Sequence, residues 1–258
     1  MTDEEHFEFL HNLAIAYAQR LSQDLKIRLA NWPTDFTIAE VHEVIGALLA
    51  RQVTLGTQIA ENPQLWNGHI APLILRAMAD VYINVAWLLN DPTTRCRDFI
   101  LYGLGQAKLA VERRKEEPES PENTKIIEQT EAWIDSQRAT FLLDVNTGSW
   151  SGTTTRQMAE EAGCIDFYNW VYTPFSGCTH SMWQHVALYN LRQCSNPLHR
   201  NHRVPDVESR FDIDPNYLYL AAKYSQKLFN LFDKSFNVKS SEQSAFALLK
   251  EGFDRLSE

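Results

Sequence analysis

Apolar positions recur along this chain at three- and four-residue intervals almost from end to end, and that spacing predicts helices. Residues 4–30 place Phe7, Leu10, Leu13, Ala14, Tyr17, Leu21 and Leu25 on one face, and Asn31-Trp32-Pro33 stops the segment. A second helix is expected from Thr37, whose hydroxyl and Glu40 make a T-x-x-E capping box, to about Ala60. Ile70 to Leu89 follows and is apolar nearly all the way round. Asp91-Pro92 reads as an N-cap with proline at the first helical position, opening a helix to about Lys115. The polar run 116–123 is a linker or tip, and Ser120-Pro121 restarts a helix that continues to about Leu143.

Beyond a loop at 146–152, Thr154 with Gln157 caps a short helix that Gly163 closes. Another helix is expected from Ile165 to Tyr172. Thr173-Pro174 then opens the segment carrying Ser176 and His180, with Pro174 dividing it from the preceding one. Residues 194–212, with Pro197 and Pro205, show no period and read as a long loop. Asp214-Pro215 opens a helix to about Phe236, and Ser241 opens the last. Strand-like alternation bounded by turns is absent, so the expected fold is all-α: eight to ten helices in one domain around a buried central helix. Within it, residues 1–61 are N-terminal helices, 66–190 a core, and 213–258 C-terminal helices.

That central helix carries the sharpest chemical signal. Arg76, Asp80 and Asn84 follow one another at four-residue steps along an otherwise apolar helix, and a charge held there needs pairing and hydrogen bonds. Tyr172, Ser176 and His180 repeat the same spacing later in the chain. If the two helices meet, a guanidinium, a carboxylate, an amide, a hydroxyl and an imidazole converge.

Composition narrows the classes. At 258 residues and 44% hydrophobic content the chain can bury a sizeable core. Arg76 and Asp80 interrupt the one candidate membrane span, and the N-terminus is acidic where a secretory signal is basic, so a cytoplasmic protein without membrane contact is expected. Cys96, Cys164, Cys178 and Cys194 lack a C-x-x-C pair, in keeping with reduced thiols. A net charge of −9 opposes a non-specific nucleic-acid coat, though not a local basic site. Basic residues cluster at Arg113 to Lys115, where a helix C-terminus welcomes cations, and at His199 to Arg203.

The chain carries Arg76-x-x-x-Asp80-x-x-x-Asn84-x-x-Trp87-Leu88-Leu89, then Trp150-x-Gly152 with Arg156-x-Met158-Ala159-Glu160-x-Ala162-Gly163, and Tyr172-x-x-x-Ser176-x-x-x-His180. Together these three motifs resemble a bacterial helical family known as domain of unknown function 5677. The resemblance spans roughly residues 66–190 and departs at Ser181, where a glycine or proline is expected after the histidine. It implies a helical fold and no particular activity. The architecture is also similar to that of the helical HEPN ribonucleases of defence and toxin systems, in which an arginine and a histidine act from a helical interface.

By that analogy His180 and Arg76 are the candidate catalytic residues, with Asp80, Asn84, Ser176 and Tyr172 binding substrate. The histidine would take a proton from a ribose 2′-OH while the guanidinium stabilises charge on the phosphate, without metal or other cofactor. RNA, a cognate antitoxin or defence-system protein, and a second copy of the chain are then the expected partners. The competing reading is a non-enzymatic protein- or ligand-binding module in which the same residues form a hydrogen-bonded network fixing helix register.

Other chemistries fare worse. The HEPN-like spacing Arg192 to His199 is of a kind that arises by chance in a chain with eight histidines, and Pro197 interrupts any helix there. Cys178, His180, His185, Cys194, His199 and His202 are metal-ligating types within 25 residues, but no paired C-x-x-C or H-x-x-x-H spacing occurs and no metal is expected. Nucleophile-elbow and phosphate-loop glycine motifs are missing. The seven tryptophans are expected in the core, with Trp183 and His185 kept in view for stacking on an unpaired base.

Overall fold

The computed structural model describes residues 3–141, 151–207, 213–239 and 243–256, with the side chains of Asp3 and of residues 138–141 left aside. Trp150, the loop residues before it and Ser241 lie outside the described residues. The chain is all-α: helices α1 (Asp3–Ala30), α2 (Ala39–Glu61), α3 (Ala71–Leu88), α4 (Pro92–Lys115) and α5 (Pro121–Phe141) come first. Shorter helices follow, α6 (Thr155–Glu161), α7 (Ile165–Phe167), α8 (Thr173–Thr179) and α9 (Trp183–Tyr189), and then α10 (Asn216–Phe236) and α11 (Ala245–Leu256).

Helix α3 is apolar on every side because it has neighbours on every side: α2, α10, α8, α6 and α4 all pack against it. It has the length and composition of a membrane span, yet protein surrounds most of it, with Leu75, Met78, Ala79, Ile83, Val85 and Leu88 fully buried. Its C-terminal end is tied to α6 and α4. The Trp87 indole donates to Glu161 Oε2 at 2.6 Å, and Arg95 lies 3.7 Å from the Trp87 ring centre while donating to the Trp87 carbonyl at 2.6 Å. Met158 and Ala159 of the motif in α6 are buried against this core.

Most local signals act as the sequence suggests. Asp91 accepts from the Thr94 amide, Ser120 from the Asn123 amide, and Thr154 with Gln157 forms a full capping box. Gly163 adopts φ +66° past the end of α6, where a left-handed residue ends a helix. Four expectations fail. Thr37 does not cap α2; its hydroxyl and amide both donate to Asp35, which opens a three-residue 3-10 turn, so α2 starts at Ala39.

Pro174 does not divide the later helices. A π-helical turn, Tyr168–Tyr172, runs straight into α8, and the wider turn accommodates a proline that has no N–H to give and whose ring crowds the preceding carbonyls. The expected long loop, 194–212, belongs in part to a two-stranded antiparallel hairpin: β1 (Leu191–Gln193) precedes it and β2 (Arg203–Pro205) lies within it, with Arg192 opposite Val204. Strands this short carry too few residues for a period-2 signal. Finally, Trp133, Trp170 and Trp183 are exposed, whereas Trp32, Trp66 and Trp87 are core residues.

Candidate functional site

Arg76 and Ser176, 100 residues apart in the chain, do meet. Packing of α8 on α3 brings Arg76 Nε to 2.9 Å from the Ser176 hydroxyl, which itself donates to the Tyr172 carbonyl at 2.8 Å. Another guanidinium nitrogen pairs with Asp80, and the Tyr172 ring centre lies 3.1 Å from the guanidinium carbon. Tyr172 stacks in turn on Tyr168, centroids 4.7 Å apart. Arg76 is therefore buried with a carboxylate, a hydroxyl and an aromatic face as partners, the set a sequestered guanidinium needs. Burial pushes the Asp80 carboxyl up from its ordinary value and Arg76 pulls it down; with 41% of the Asp80 side chain exposed, solvent moderates the rise.

His180 is not part of this network. Helix α8 ends at Thr179, and His180 leaves helical geometry at φ −102°, ψ 12°, so the four-residue spacing from Ser176 no longer puts both on one face. Its side chain is exposed and has no hydrogen-bond partner among the described residues. Asn84 is half-buried one turn beyond Asp80, also with no side-chain partner among them. The convergence expected from the sequence is thus real for Arg76, Asp80, Ser176 and Tyr172 and includes neither the Asn84 amide nor the His180 imidazole.

The backbone that releases His180 is a Schellman turn. Met182 donates to the Gly177 carbonyl at 2.9 Å and Ser181 to Cys178 at 3.2 Å, with Ser181 at φ +48°. That is the left-handed region that favours glycine, which accounts for the residue expected after the histidine.

A different pair of imidazoles comes together beside α3. Asn67 Oδ1 accepts from the amides of His69 and Ile70 at 3.0 and 3.1 Å, holding the chain as it enters α3. Helix α9 then brings His185 to His69, Nε2 to Nδ1 at 3.2 Å. Tyr189 packs on both rings, at 5.1 Å from His69 and 4.8 Å from His185, and its ring crosses Gly68 so closely that a Cβ there would overlap it. The Cys178 thiol donates to the His69 carbonyl at 3.2 Å. Asn67, His69, Cys178 and His185 border a cavity of about 550 Å³ that is also lined by Ile70, Leu73, Ser181, Val186 and Asn190.

Burial and the neighbouring His69 hold the His185 imidazole below its ordinary value near 6.5. The folded state thus favours neutral His185, and the stability this contributes is complete above the unfolded-state value and is lost as pH falls through the lower folded-state value. Tyr217, up at about 12 through burial and its contact with Tyr189, and Cys178, raised by burial, do not titrate in that window. Thermal melts between about pH 5 and 8 should show stability falling on the acid side, with a shallower fall in His185→Gln. An unchanged acid limb in that variant excludes His185 as the cause.

His69 was invisible to sequence reasoning, because its partner lies 116 residues away. His185 stands out in the sequence only for stacking and as a metal-ligating type, not as a partner of His69. Paired spacing also proves unnecessary for bringing metal-ligating groups together: the hairpin places ligand atoms of Cys194, His199 and His202 within 4.8 Å of one another. A further groove of about 300 Å³ between α2, α4 and α5, lined by Val44, Leu48, Phe99, Ile100 and Trp133, has Glu43 as its sole titratable lining residue among the described residues.

A helical core in which α3 carries a braced arginine, and α6 and α8 bring the matching motifs to it, defines a class of helical bundle proteins rather than a reaction. The model of the family of unknown function DUF5677 matches residues 42–196, and the chain belongs to that family. The match reaches further than residues 66–190 on the N-terminal side, taking in most of α2, which packs on α3. No curated protein and no solved structure matches the chain.

Proposed function

We propose that this protein is a ligand-recognition module whose working surface is the His69–His185 cleft, and that the Arg76 network is a brace between α3 and α8. One observation carries this: two imidazoles facing each other at 3.2 Å on the wall of a cavity sized for a small molecule. The cleft mixes an apolar side, Ile70, Leu73 and Val186, with the polar groups of Ser181 and Asn190, and Trp183 stands exposed two residues before His185. Such a lining suits a planar, hydrogen-bonding organic molecule of nucleobase character. Ligand-observed NMR against nucleosides and nucleotides tests it. Binding is expected to weaken at least tenfold in both His69→Ala and His185→Ala and to persist in His180→Ala; binding that survives both cleft variants removes the cleft from consideration.

The second reading is metal-independent RNA cleavage in a bacterial defence or toxin setting, and the paired imidazoles favour it. Neutral His185 is the form that would accept a proton from a 2′-OH, with His69 beside it at 3.2 Å as the candidate acid for the leaving oxygen. It ranks second because, among the described residues, no lysine or arginine lines the cleft to bind phosphate. In an RNA-degradation assay this reading expects His185→Ala to abolish cleavage with its melting temperature kept. Loss in His180→Ala instead, with His185→Ala active, moves the chemistry to the exposed imidazole. An RNA or antitoxin partner and a cytoplasmic setting belong to this reading.

A further inference from the structure

We infer that the β1–β2 hairpin is a zinc site whose protein ligands are Cys194, His199 and His202. A thiol and two imidazoles are ligand types zinc prefers, and three protein ligands leave one tetrahedral position for water or an incoming group. Their ligand atoms all lie within 4.8 Å of one another, and Cys194 Sγ is 3.7 Å from His199 Nδ1. Zinc–sulfur and zinc–nitrogen bond lengths put a tetrahedral S···N edge at about 3.5 Å, so that pair already stands near ligating distance.

The backbone fixes this arrangement independently of any ion. Cys194 continues the strand ladder by donating to the His202 carbonyl at 2.9 Å, which sets the first and last ligands opposite each other. Between them the chain turns twice, His199 donating to Asn196 at 3.0 Å and His202 to His199 at 3.1 Å, with Asn201 at φ +66° closing the second turn. Asn196 also holds the far side of the imidazole: its carboxamide nitrogen is 3.2 Å from His199 Nε2, which keeps Nδ1 toward the thiol. A hydrogen-bonded outer nitrogen is the usual companion of a metal-bound histidine. When Nδ1 ligates, Nε2 carries the proton, and Asn196 Oδ1, which accepts from the Leu198 amide at 3.0 Å in this structure, must give up that bond to receive it.

Binding displaces the thiol proton to solvent, and the thiolate lowers the charge of the bound dication. The spacing C-x4-H-x2-H matches no paired motif because the ligands meet through the hairpin register and not along one helix turn. The cluster is separate from the His69–His185 cleft in its residues, so its failure and that of the cleft proposal are independent.

Titrating chelator-treated full-length protein with Co²⁺ and then Zn²⁺ tests the site. The expected result is one equivalent of Co²⁺, a thiolate-to-cobalt charge-transfer band, and loss of that band when Zn²⁺ displaces it. Cys194→Ser should remove the band, His199→Ala and His202→Ala should each weaken binding more than tenfold, and Asn196→Ala about tenfold. Cys178→Ser is expected to change nothing, and circular dichroism checks that every variant retains its helix content. Absence of stoichiometric cobalt binding by the wild-type chain, or a band that persists in Cys194→Ser, overturns the assignment; should one histidine variant misfold, the other and Cys194→Ser still decide it.

Discussion

Arg28→Ala is expected to lower stability by about 3–5 kcal/mol, the cost of removing one partner of a buried ion pair. Arg28 is 1% exposed, and two of its nitrogens each lie 2.8 Å from the carboxylate oxygens of Asp233 on α10. A third donates to the Asp24 carbonyl at 3.0 Å, and the guanidinium carbon sits 4.1 Å from the Phe229 ring centre. Alanine leaves Asp233, whose side chain is only 17% exposed, without its counter-charge and opens space against Phe229. Urea denaturation measures the loss. The double variant Arg28→Met with Asp233→Leu should recover much of it, since apolar replacement of a whole buried pair is often neutral. A single-variant loss below about 1 kcal/mol shows that water reaches the carboxylate.

The second large effect separates brace from catalyst. Arg76→Ala should cost about 2–4 kcal/mol, less than Arg28→Ala because Asp80 is 41% exposed and can rehydrate. His180→Ala should stay within about 0.5 kcal/mol, as for other exposed side chains without partners. The same urea titrations report both. Equal losses in the two variants would falsify the separation of His180 from the network, because only a packed and bonded imidazole destabilises so strongly when truncated.

How the site was read from the chain depends on how far apart its parts are. The four-residue steps of Arg76, Asp80 and Asn84 in an apolar helix correctly marked a buried polar group, and Ser176 and Tyr172 proved to be its partners. The same spacing argument failed one turn later, at His180, because it presumes that a helix continues and α8 does not. The departure noted at Ser181 was the local trace of that ending. Arg28 gave no signal, since a cation on a long helix looks like any surface residue until Asp233 and Phe229 of α10 meet it.

What this sequence determined by itself was set within stretches of about ten residues: helical periods, proline starts, the Thr154 capping box and the largely apolar α3 that lies at the centre. These follow from backbone hydrogen bonding and apolar burial along one element. Tertiary structure alone decided which side chains meet: His69 with His185, Cys194 with His199 and His202 across a hairpin, and Asp24 capping the amide of Ala245 on α11 from 221 residues away. Such pairings depend on the packing of whole helices and on strand register, which no periodicity within a single segment encodes.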